Sequence, residues 1–259
     1  MDADTLAGQV AIITGGSKGL GLAAARLLAE QGASVVLAAR DADALASAAG
    51  SLTEQGATAL AVPTDISQRA DVERLVAETT ARFGRVDILV NNAGVAASGK
   101  PLVDIDDESW QRLIGIHLSG TFLCCRAVLP AMLAAGYGRI VNISSLMALN
   151  GHMLGQRPGD VAGADYTAAK AGVVGLTRAL AFEVAPRGIT VNAVAPGPVA
   201  TEIQSSKSKE QLARIPADTM VGRFGQAAEI ARAIYYLVGP DSGFITGQVL
   251  SVNGGAWKG

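Results

Sequence analysis

The feature that most constrains this chain is a glycine-rich turn between an apolar strand and a helical stretch. Residues 10–13 (Val-Ala-Ile-Ile) are typical of a buried strand, and apolar residues at helical spacing follow from residue 20 onward. Glycines stand between them at positions 15, 16, 19 and 21. Glycine suits a sharp strand-to-helix turn where a phosphate approaches backbone N–H groups at a helix N-terminus. The turn therefore predicts a phosphate site, with an ordinary glycine-rich turn as the simpler alternative.

The same alternation of short apolar runs and longer amphipathic stretches continues along the chain. It predicts a long helix over about 107–135 and strands over 10–13, 34–38, 59–62, 86–90, 139–143, 189–194 and 248–252. Strands so continuous in apolar residues are expected where helices cover both faces of a parallel sheet. The predicted fold class is α/β, a parallel sheet of seven strands with helices on both faces. The length of the chain suits a single domain over residues 1–259.

Charge and cysteine content exclude several classes of function. Lys and Arg number 21, Asp and Glu 23, and no basic stripe is present, so nucleic-acid binding has no electrostatic support. The two cysteines, at 124 and 125, are adjacent and cannot form a disulfide framework. No signal pattern precedes residue 8, and no apolar run approaches the roughly 20 residues that span a bilayer. We expect a cytoplasmic protein with no nucleic-acid, membrane or metal partner.

The end of the second predicted strand distinguishes between two nicotinamide cofactors. An acid at this point accepts a hydrogen bond from the ribose 2′-hydroxyl of NAD and repels the 2′-phosphate of NADP. Here Ala39 occupies that position, Arg40 follows, and Lys18 lies in the glycine turn. Two cations without an acid favour NADP(H). The alternative is that Asp41 turns inward and favours NAD(H).

A candidate catalytic set follows the fifth predicted strand. Tyr166 and Lys170 have helical i,i+4 spacing and therefore share one face of a predicted helix. Tyrosine ionises near pH 10, and a nearby ammonium lowers that pKa. Ser144 and Ser145 come directly after the strand, at the sheet edge where open α/β folds bind ligands. Such a set can exchange a proton with a substrate oxygen while a hydride moves at carbon.

These motifs together resemble the short-chain dehydrogenase/reductase family over about residues 8–255. The matching segments are Thr14-Gly-x-x-x-Gly19-x-Gly21, Asp65, Asn91-Asn92-Ala93-Gly94, Ser145, Tyr166-x-x-x-Lys170, and Pro196-Gly197 with Thr201. The resemblance implies a Rossmann-type doubly wound sheet of seven parallel strands in a single dinucleotide-binding and catalytic domain over residues 1–259. It also implies a homotetramer, or a dimer, acting on a small-molecule carbonyl or alcohol. In character it is nearest to 3-oxoacyl-thioester reductases and broad carbonyl reductases. The short interval between the tyrosine and the lysine argues against the family's enoyl-reducing branch.

The resemblance also implies a role for each matched residue. Tyr166 is the proton donor or acceptor, Lys170 lowers its pKa and bonds the nicotinamide ribose, and Ser145 positions the carbonyl. Asp65 accepts from the adenine amino group, and Asn91 with Gly94 holds the fourth strand and the adenosine side. The implied cofactor-binding residues are Gly15, Ser17, Lys18, Gly19, Leu20, Gly21, Arg40, Asp65, Ile66, Asn92, Ala93, Gly94, Tyr166, Lys170, Pro196, Gly197, Val199 and Thr201.

One residue in the long helix departs from the family pattern. His117 stands where the family usually has an asparagine that supports a water chain to the lysine. A neutral imidazole both donates and accepts, so His117 could serve in that relay. The alternative is a packed histidine with no part in catalysis.

Two irregular segments are candidates for the substrate side. Ser145 and Tyr166 lie 21 residues apart, longer than is usual in the family, and the extra stretch falls within 149–163. This inserted loop is predicted to enlarge or cover the substrate pocket, or else to be a surface loop without function. Its candidate substrate contacts are His152, Met153, Leu154, Gln156 and Arg157.

The second irregular segment, 197–216, is predicted to be a substrate lid. It contains Lys207, Lys209 and Arg214, which would suit an acidic or phosphopantetheine-bearing substrate, or simply form a solvated helix face.

The resulting functional hypothesis is an NADP(H)-dependent oxidoreductase that moves a hydride between nicotinamide and a carbonyl or secondary alcohol. Two alternatives remain open. The first is an NAD(H)-dependent polyol, sugar or steroid dehydrogenase of the same family, since these share every motif named above. The second is a catalytically silent regulator that binds the cofactor, since a fold by itself does not establish a function.

Overall fold

The computed structural model describes residues 5–200, 212 and 214–258, which form an α/β fold around one sheet. All seven strands run parallel, in the order β3-β2-β1-β4-β5-β6-β7. Their bounds are β1 Val10–Thr14, β2 Ser34–Ala39, β3 Ala59–Pro63, β4 Ile88–Asn91, β5 Gly138–Ile143, β6 Ile189–Pro196 and β7 Val249–Val252. The predicted doubly wound, seven-stranded parallel sheet is confirmed.

Helices connect the strands and cover the two faces of the sheet. They are α1 Gly19–Glu30, α2 Ala42–Glu54, α3 Arg69–Phe83, α4 Asp107–Ile114, α5 Gly120–Ala135, α6 Met147–Asn150, α7 Ala164–Val184 and α8 Ala227–Val238. A π-helical turn, Gly115–Ser119, joins α4 to α5, so the predicted helix over 107–135 is continuous but locally widened. The predicted loop 149–163 begins later than expected, because residues up to Asn150 belong to α6.

Successive residues of each strand point to opposite faces of the sheet, and a separate hydrophobic core lies on each face. On β1, Ile13 packs with α1, α2 and α8, in a cluster that includes Leu28 and Ile234. Its neighbour Ile12 points to the other face and packs with α3, α5 and α7, in a cluster that includes Val128. Because both faces are buried, the strands read as unbroken apolar runs rather than as alternating patterns.

The segment Asp107–Ala135 is long enough for a helix that crosses a membrane, and an 18-residue window within it has a mean hydropathy of 1.6. It meets these criteria although Arg126 interrupts its apolar run. Core helices of soluble proteins meet the same criteria, so this is weak evidence for a span. On this segment Cys124, Val128 and Met132 are buried against the sheet.

The strand order places a crevice above the carboxyl ends of β1 and β4. Chain connections leave these two neighbouring strands in opposite directions, toward β2 on one side and β5 on the other. In open α/β sheets ligands bind at such a switch point. Both the glycine turn after β1 and Ser144–Ser145 after β5 therefore lie at the same edge of the sheet.

Candidate active site

A cleft of about 1520 Å³ runs along the carboxyl edge of the sheet. It brings together nearly all of the catalytic and cofactor-binding residues predicted from the sequence. Those that line it are Gly15, Ser17, Lys18, Gly19, Leu20, Arg40, Asp65, Ile66, Asn92, Ala93, Gly94, His117, Ser145, Tyr166, Lys170, Pro196, Gly197 and Val199. Gly21 lies beneath the turn, and Thr201 lies outside the described residues.

The glycine turn has no room for side chains at two positions. A Cβ on Gly15 would lie 2.8 Å from Nδ2 of Asn92 and 2.9 Å from Cα of Ala93, and its φ of +65° is left-handed. A Cβ on Gly21 would collide with the carbonyl oxygen of Gly15. The turn leads directly into α1, whose N-terminus has no side-chain cap. Its first N–H groups and the helix dipole therefore suit a phosphate.

Hydrogen bonds between the ends of β1 and β4 hold this turn in place. The Thr14 hydroxyl accepts from the backbone N–H groups of Asn92 and Ala93, at 3.0 and 3.1 Å. The Asn92 amide donates to the carbonyl oxygens of Thr14 and Gly15, at 3.0 and 3.2 Å. The sequence motif contains Thr14 without indicating this function. The floor of the phosphate site is thus fixed by contacts between strands.

The cofactor-selecting end of the cleft lies beyond β2. Arg40 and Lys18 are exposed at its rim. Asp41, the residue that left the cofactor choice open, caps α2: its Oδ1 accepts from the backbone N–H of Ala44 at 3.0 Å. This contact gives the carboxylate a structural role and favours Arg40 as the residue that faces the ribose.

Asp65 and Asn91 have different surroundings. Asp65 lines the cleft, and its Oδ1 accepts from the N–H and the hydroxyl of Ser67, at 2.9 and 2.7 Å. Asn91 is buried beside the cleft, where its amide donates to Oδ1 of Asn142 on β5 at 2.9 Å. This contact joins the end of the fourth strand to the fifth.

Ser145, Tyr166 and Lys170 meet at the end of β5. Tyr166 and Lys170 lie one turn apart on α7. The Lys170 ammonium donates to the carbonyl oxygen of Ile143 at 2.6 Å and lies 5.8 Å from the centroid of the Tyr166 ring. Ser145 is buried, and its hydroxyl accepts from the N–H of Met147 at 3.1 Å. The three side chains are therefore adjacent, as the sequence predicted.

Burial has the largest effect on the pKa values of Tyr166 and Lys170. Burial raises the pKa of Tyr166, and a hydrogen bond with Ser145 acts in the opposite direction. Burial also lowers the pKa of Lys170 to about 8. Desolvation of the phenolate is the larger effect, so the pKa of Tyr166 is raised, although the sequence predicted that Lys170 would lower it. Tyr166 is consequently a neutral hydroxyl, which suits it to donate a proton.

His117 is buried in the π-helical turn and touches Tyr166. The two rings meet edge to face, with centroids 5.1 Å apart and planes at 83°. His117 Nε2 lies 2.9 Å from the carbonyl oxygen of Val95 and 3.2 Å from its nitrogen. Nδ1 is buried and has no hydrogen-bond partner within the described part of the chain. The ring thus packs against Tyr166, and its Nδ1 has no hydrogen-bond partner among the described residues.

The His117 ring is neutral across the physiological range. Burial lowers its pKa to about 3, and the charge of Lys170 adds to the effect. The hydrogen bond with Val95 and the charge of Asp165 act in the opposite direction and are smaller. A neutral ring both donates and accepts, so the two interpretations of His117, relay or packing, are both compatible with its protonation state.

Asp165, directly before Tyr166, was not predicted to be a site residue. Its side chain is fully buried in the first turn of α7. Oδ1 accepts from the N–H of Tyr166 at 2.8 Å, and Oδ2 accepts from the N–H of Ser98 at 3.1 Å. The available signal was an acid in the first turn of a predicted helix, where the helix dipole favours negative charge.

The inserted loop lies away from the cleft wall. Leu154 is buried, Gln156 accepts from the N–H of Met153 and donates to Val161, and Arg157 is exposed. None of the five predicted substrate contacts, His152, Met153, Leu154, Gln156 and Arg157, lines the cleft, because the loop's polar groups bond within the loop or to residue 218.

The wall that the loop was expected to supply comes from other residues. Leu212 and Phe224 line the cleft there, and the sequence did not single them out. In the predicted lid, Arg214 is exposed, and Lys207 and Lys209 lie outside the described residues.

The fold and the site define a class of protein. A dinucleotide-type cleft that ends at a neutral tyrosine, a lysine and a serine is the arrangement of a nicotinamide-dependent oxidoreductase acting on CH–OH or C=O groups. A family model described as enoyl-(acyl carrier protein) reductase matches residues 15–256. The chain belongs to the short-chain dehydrogenase/reductase family.

Individual relatives agree in length and fold. The chain is 42% identical to (2S)-[(R)-hydroxy(phenyl)methyl]succinyl-CoA dehydrogenase subunit BbsD of Thauera aromatica, over 95% of this chain and 96% of that protein. It is 39% identical to the 3-oxoacyl-[acyl-carrier-protein] reductase FabG of Escherichia coli, over 96% and 98%. A crystal structure of a tryptophan variant of actinorhodin polyketide ketoreductase with NADPH is similar, with a TM-score of 0.88 and 38% identity. That similarity covers 98% of this chain and 99% of the ketoreductase.

Proposed function

We propose that this protein is an NADP(H)-dependent reductase of a ketone or 3-oxoacyl compound, with the whole chain acting as one cofactor-binding and catalytic unit. The observation that carries the proposal is the convergence of Ser145, Tyr166 and Lys170 at one end of the cleft. The names of the FabG relative and of the NADPH-bound ketoreductase support the same chemistry. We also propose a homotetramer in the cytoplasm, which sedimentation of the purified protein and fractionation of cells would test.

The residues of the cleft fit a dinucleotide. The pyrophosphate would meet the N-terminus of α1, in the space that side chains at Gly15 and Gly21 would fill. Asp65 would face the adenine, and the nicotinamide end would lie beside Pro196 and Gly197. A Cβ on Gly197 would lie 2.7 Å from Cα of Asn253, so this wall is closely packed.

Arg40 and Lys18 support NADP(H) as the cofactor. Both cations line the rim beyond β2, and Asp41 is engaged as the cap of α2. A guanidinium matches a phosphate with paired hydrogen bonds, so Arg40 would favour a 2′-phosphate over a bare hydroxyl.

The reaction follows from the protonation states of the site. A nicotinamide cofactor held in the cleft would supply the hydride that the carbonyl carbon accepts. The hydroxyls of Ser145 and Tyr166 donate hydrogen bonds to the carbonyl oxygen, and Tyr166 transfers its proton to that oxygen as negative charge develops. The ammonium of Lys170 stabilises the phenolate left behind, because opposite charges attract strongly in a buried site. The phenolate then regains a proton from solvent.

The test combines cofactor binding with turnover. NADPH and NADH are titrated against the purified protein, and NADPH oxidation is followed with a panel of ketones and 3-oxoacyl thioesters. Tyr166→Phe is expected to abolish turnover and to leave NADPH binding nearly intact. Tyr236→Phe, on the exposed face of α8, is the matched control and is expected to behave like the wild type.

Each alternative predicts a different result in this test. Tighter binding of NADH than of NADPH would support the alternative of an NAD(H)-dependent dehydrogenase. Tight NADPH binding without turnover on any substrate of the panel would support the silent regulator. Undiminished turnover by Tyr166→Phe would refute the mechanism.

A further inference from the structure

The loop 151–163, between α6 and α7, is docked onto the turn Ile215–Asp218. The N–H of Gly155 donates to Oδ2 of Asp218 at 2.7 Å. The same carboxylate oxygen lies 3.7 Å from Nη1 of Arg157. One carboxylate therefore holds two neighbouring points of the loop. The loop has a defined position against the rest of the chain, in contrast to a free surface insertion.

An apolar cluster continues this contact toward the cleft. Leu154, from the loop, is buried together with Leu146 and Ile215. Leu212 and Phe224 pack against these buried side chains. The buried residues are 8%, 3% and 0% exposed, so the loop closes the back of the cluster.

The front of the same cluster is part of the cleft wall. Leu212 and Phe224 both line the cleft, and Leu146 follows the catalytic Ser145 directly in the chain. The backbone N–H of Leu146 donates to the carbonyl oxygen of Pro196 at 2.9 Å, beside the proposed nicotinamide position. The contacts thus run without a break from Asp218 through Leu154 to the wall.

The chemistry of this wall differs from that of the opposite end of the cleft. Lys18 and Arg40 line the phosphate and ribose end. At the reacting end, the cluster side chains Leu212 and Phe224 are hydrocarbon. A hydrocarbon wall favours apolar groups and disfavours charged ones, because a charge would lose its hydration there.

We propose that Leu154, held by Asp218, is a positioning residue for substrate specificity. It supports Leu212 and Phe224 as an apolar wall that receives a hydrocarbon group, such as a ring or an alkyl chain, next to the reacting carbonyl. The proposal rests on the proposed reductase function and adds the class of substrate. The loop acts through the wall and does not itself contact the substrate.

The experiment compares methyl ketones that differ only in their second substituent: acetone, cyclohexyl methyl ketone and acetophenone. The variants Leu154→Ala and Asp218→Ala remove the support and its attachment, since alanine leaves no acceptor for the N–H of Gly155. Val161→Ala is the matched control in the same loop, since this side chain is exposed and does not contact the cluster. For each protein, kcat/KM is measured for every ketone, together with the Kd for NADPH.

The preference of the wild type for the ring-bearing ketones over acetone is expected to fall about tenfold in Leu154→Ala and in Asp218→Ala, the size of effect that one or two methylenes produce in an apolar pocket. The Kd for NADPH is expected to stay the same, and the control variant is expected to keep the wild-type preference. Because residue 218 is partly exposed, Asp218→Ala keeps the test valid if Leu154→Ala fails to fold.

Two results would overturn the proposal, and they separate it from the proposed function. If the wild type reduces the ketones and the preference is unchanged in both variants, the wall is independent of the loop and this inference alone is refuted. An equal loss of kcat/KM for all three ketones would refute it in the same way. If the wild type reduces no ketone although NADPH binds, the proposed function fails first and this inference fails with it.

Discussion

Replacing Gly94 by alanine should disturb the catalytic tyrosine through His117. A Cβ on Gly94 would lie 2.5 Å from Cε1 and 3.0 Å from Nδ1 of the imidazole. Ordinary carbon contacts are about 3.5–4.0 Å, so the ring or the loop must move by about 1 Å. The ring is buried, bonded to Val95 and in edge contact with Tyr166, so little free space is available. The displacement should therefore reach Tyr166.

The size of the effect follows from this overlap. Forcing additional atoms into a packed region costs about 1–3 kcal/mol. For a chain of this size, each kcal/mol lowers Tm by about 2–4 °C, so we expect a loss of about 4–8 °C for a cost near 2 kcal/mol. Because a displacement of about 1 Å at a catalytic group can reduce the rate about 100-fold, kcat should fall well beyond the loss of stability. Thermal unfolding and steady-state kinetics at saturating NADPH measure the two quantities.

A double variant identifies the collision as the cause. Since asparagine has a smaller side chain than histidine, Gly94→Ala/His117→Asn should recover at least about 1 kcal/mol relative to the sum of the two single variants. Gly175→Ala is the matched control: this glycine is exposed on α7, nothing lies within 4 Å of its Cβ position, and helix propensity predicts a gain of up to about 1 kcal/mol. Wild-type Tm and kcat in Gly94→Ala, or strict additivity in the double variant, would refute the reasoning.

Three further predictions follow from the charged and titratable groups. The pKa of His117 is lowered from 6.5 to about 3, so below pH 6.5 the unfolded chain binds a proton that the folded chain does not. This difference should lower the unfolding free energy of the wild type by about 2 kcal/mol between pH 7 and pH 5. Urea denaturation at both pH values should show that this loss is absent in His117→Asn. The pKa of Lys170 is lowered to about 8, so kcat/KM for carbonyl reduction should fall as the pH rises through 8. Over the same range, from pH 8 toward the ordinary lysine pKa, the unfolding free energy should rise, because the unfolded chain keeps its proton there. A kcat/KM profile that is level across this range would contradict the role of the ammonium. Arg40→Ala should raise the Kd for NADPH by about tenfold and leave the Kd for NADH unchanged. The control Asp41→Asn, which alters only the helix cap, should keep the cofactor preference. Equal changes in both Kd values for Arg40→Ala would mean that another residue binds the 2′-phosphate.

Local patterns explain why much of the fold and site could be predicted. The strands are recognisable because both of their faces are buried, and each therefore forms an apolar run of about the observed length. Tyr166 and Lys170 are related by one helical turn, and the glycines of the turn all lie within residues 15–21. Properties of this kind depend on residues close in sequence, and the motif preserves them.

The features that sequence reasoning missed depend on contacts between distant segments. The sequence predicts from the Ser145–Tyr166 interval that an inserted loop is present. It does not predict that this loop contacts Asp218, which lies about 60 positions away in the chain. The ionisation of Tyr166 was misjudged for a related reason. The neighbouring lysine is visible in the sequence, but the desolvation that outweighs it arises from the surrounding tertiary structure.

The contacts of His117 and Asp165 explain how the site tolerates a histidine in place of the family's asparagine. His117 holds the loop after β4 at Val95, and Asp165 holds the same loop at Ser98. Asp165 also accepts from the N–H of Tyr166, and the His117 ring packs against the Tyr166 side chain. One loop is thus bound from two sides by residues that also contact the catalytic tyrosine. The position of Tyr166 is therefore set by residues outside the Tyr-x-x-x-Lys motif, and the family motif defines the chemistry without defining this support.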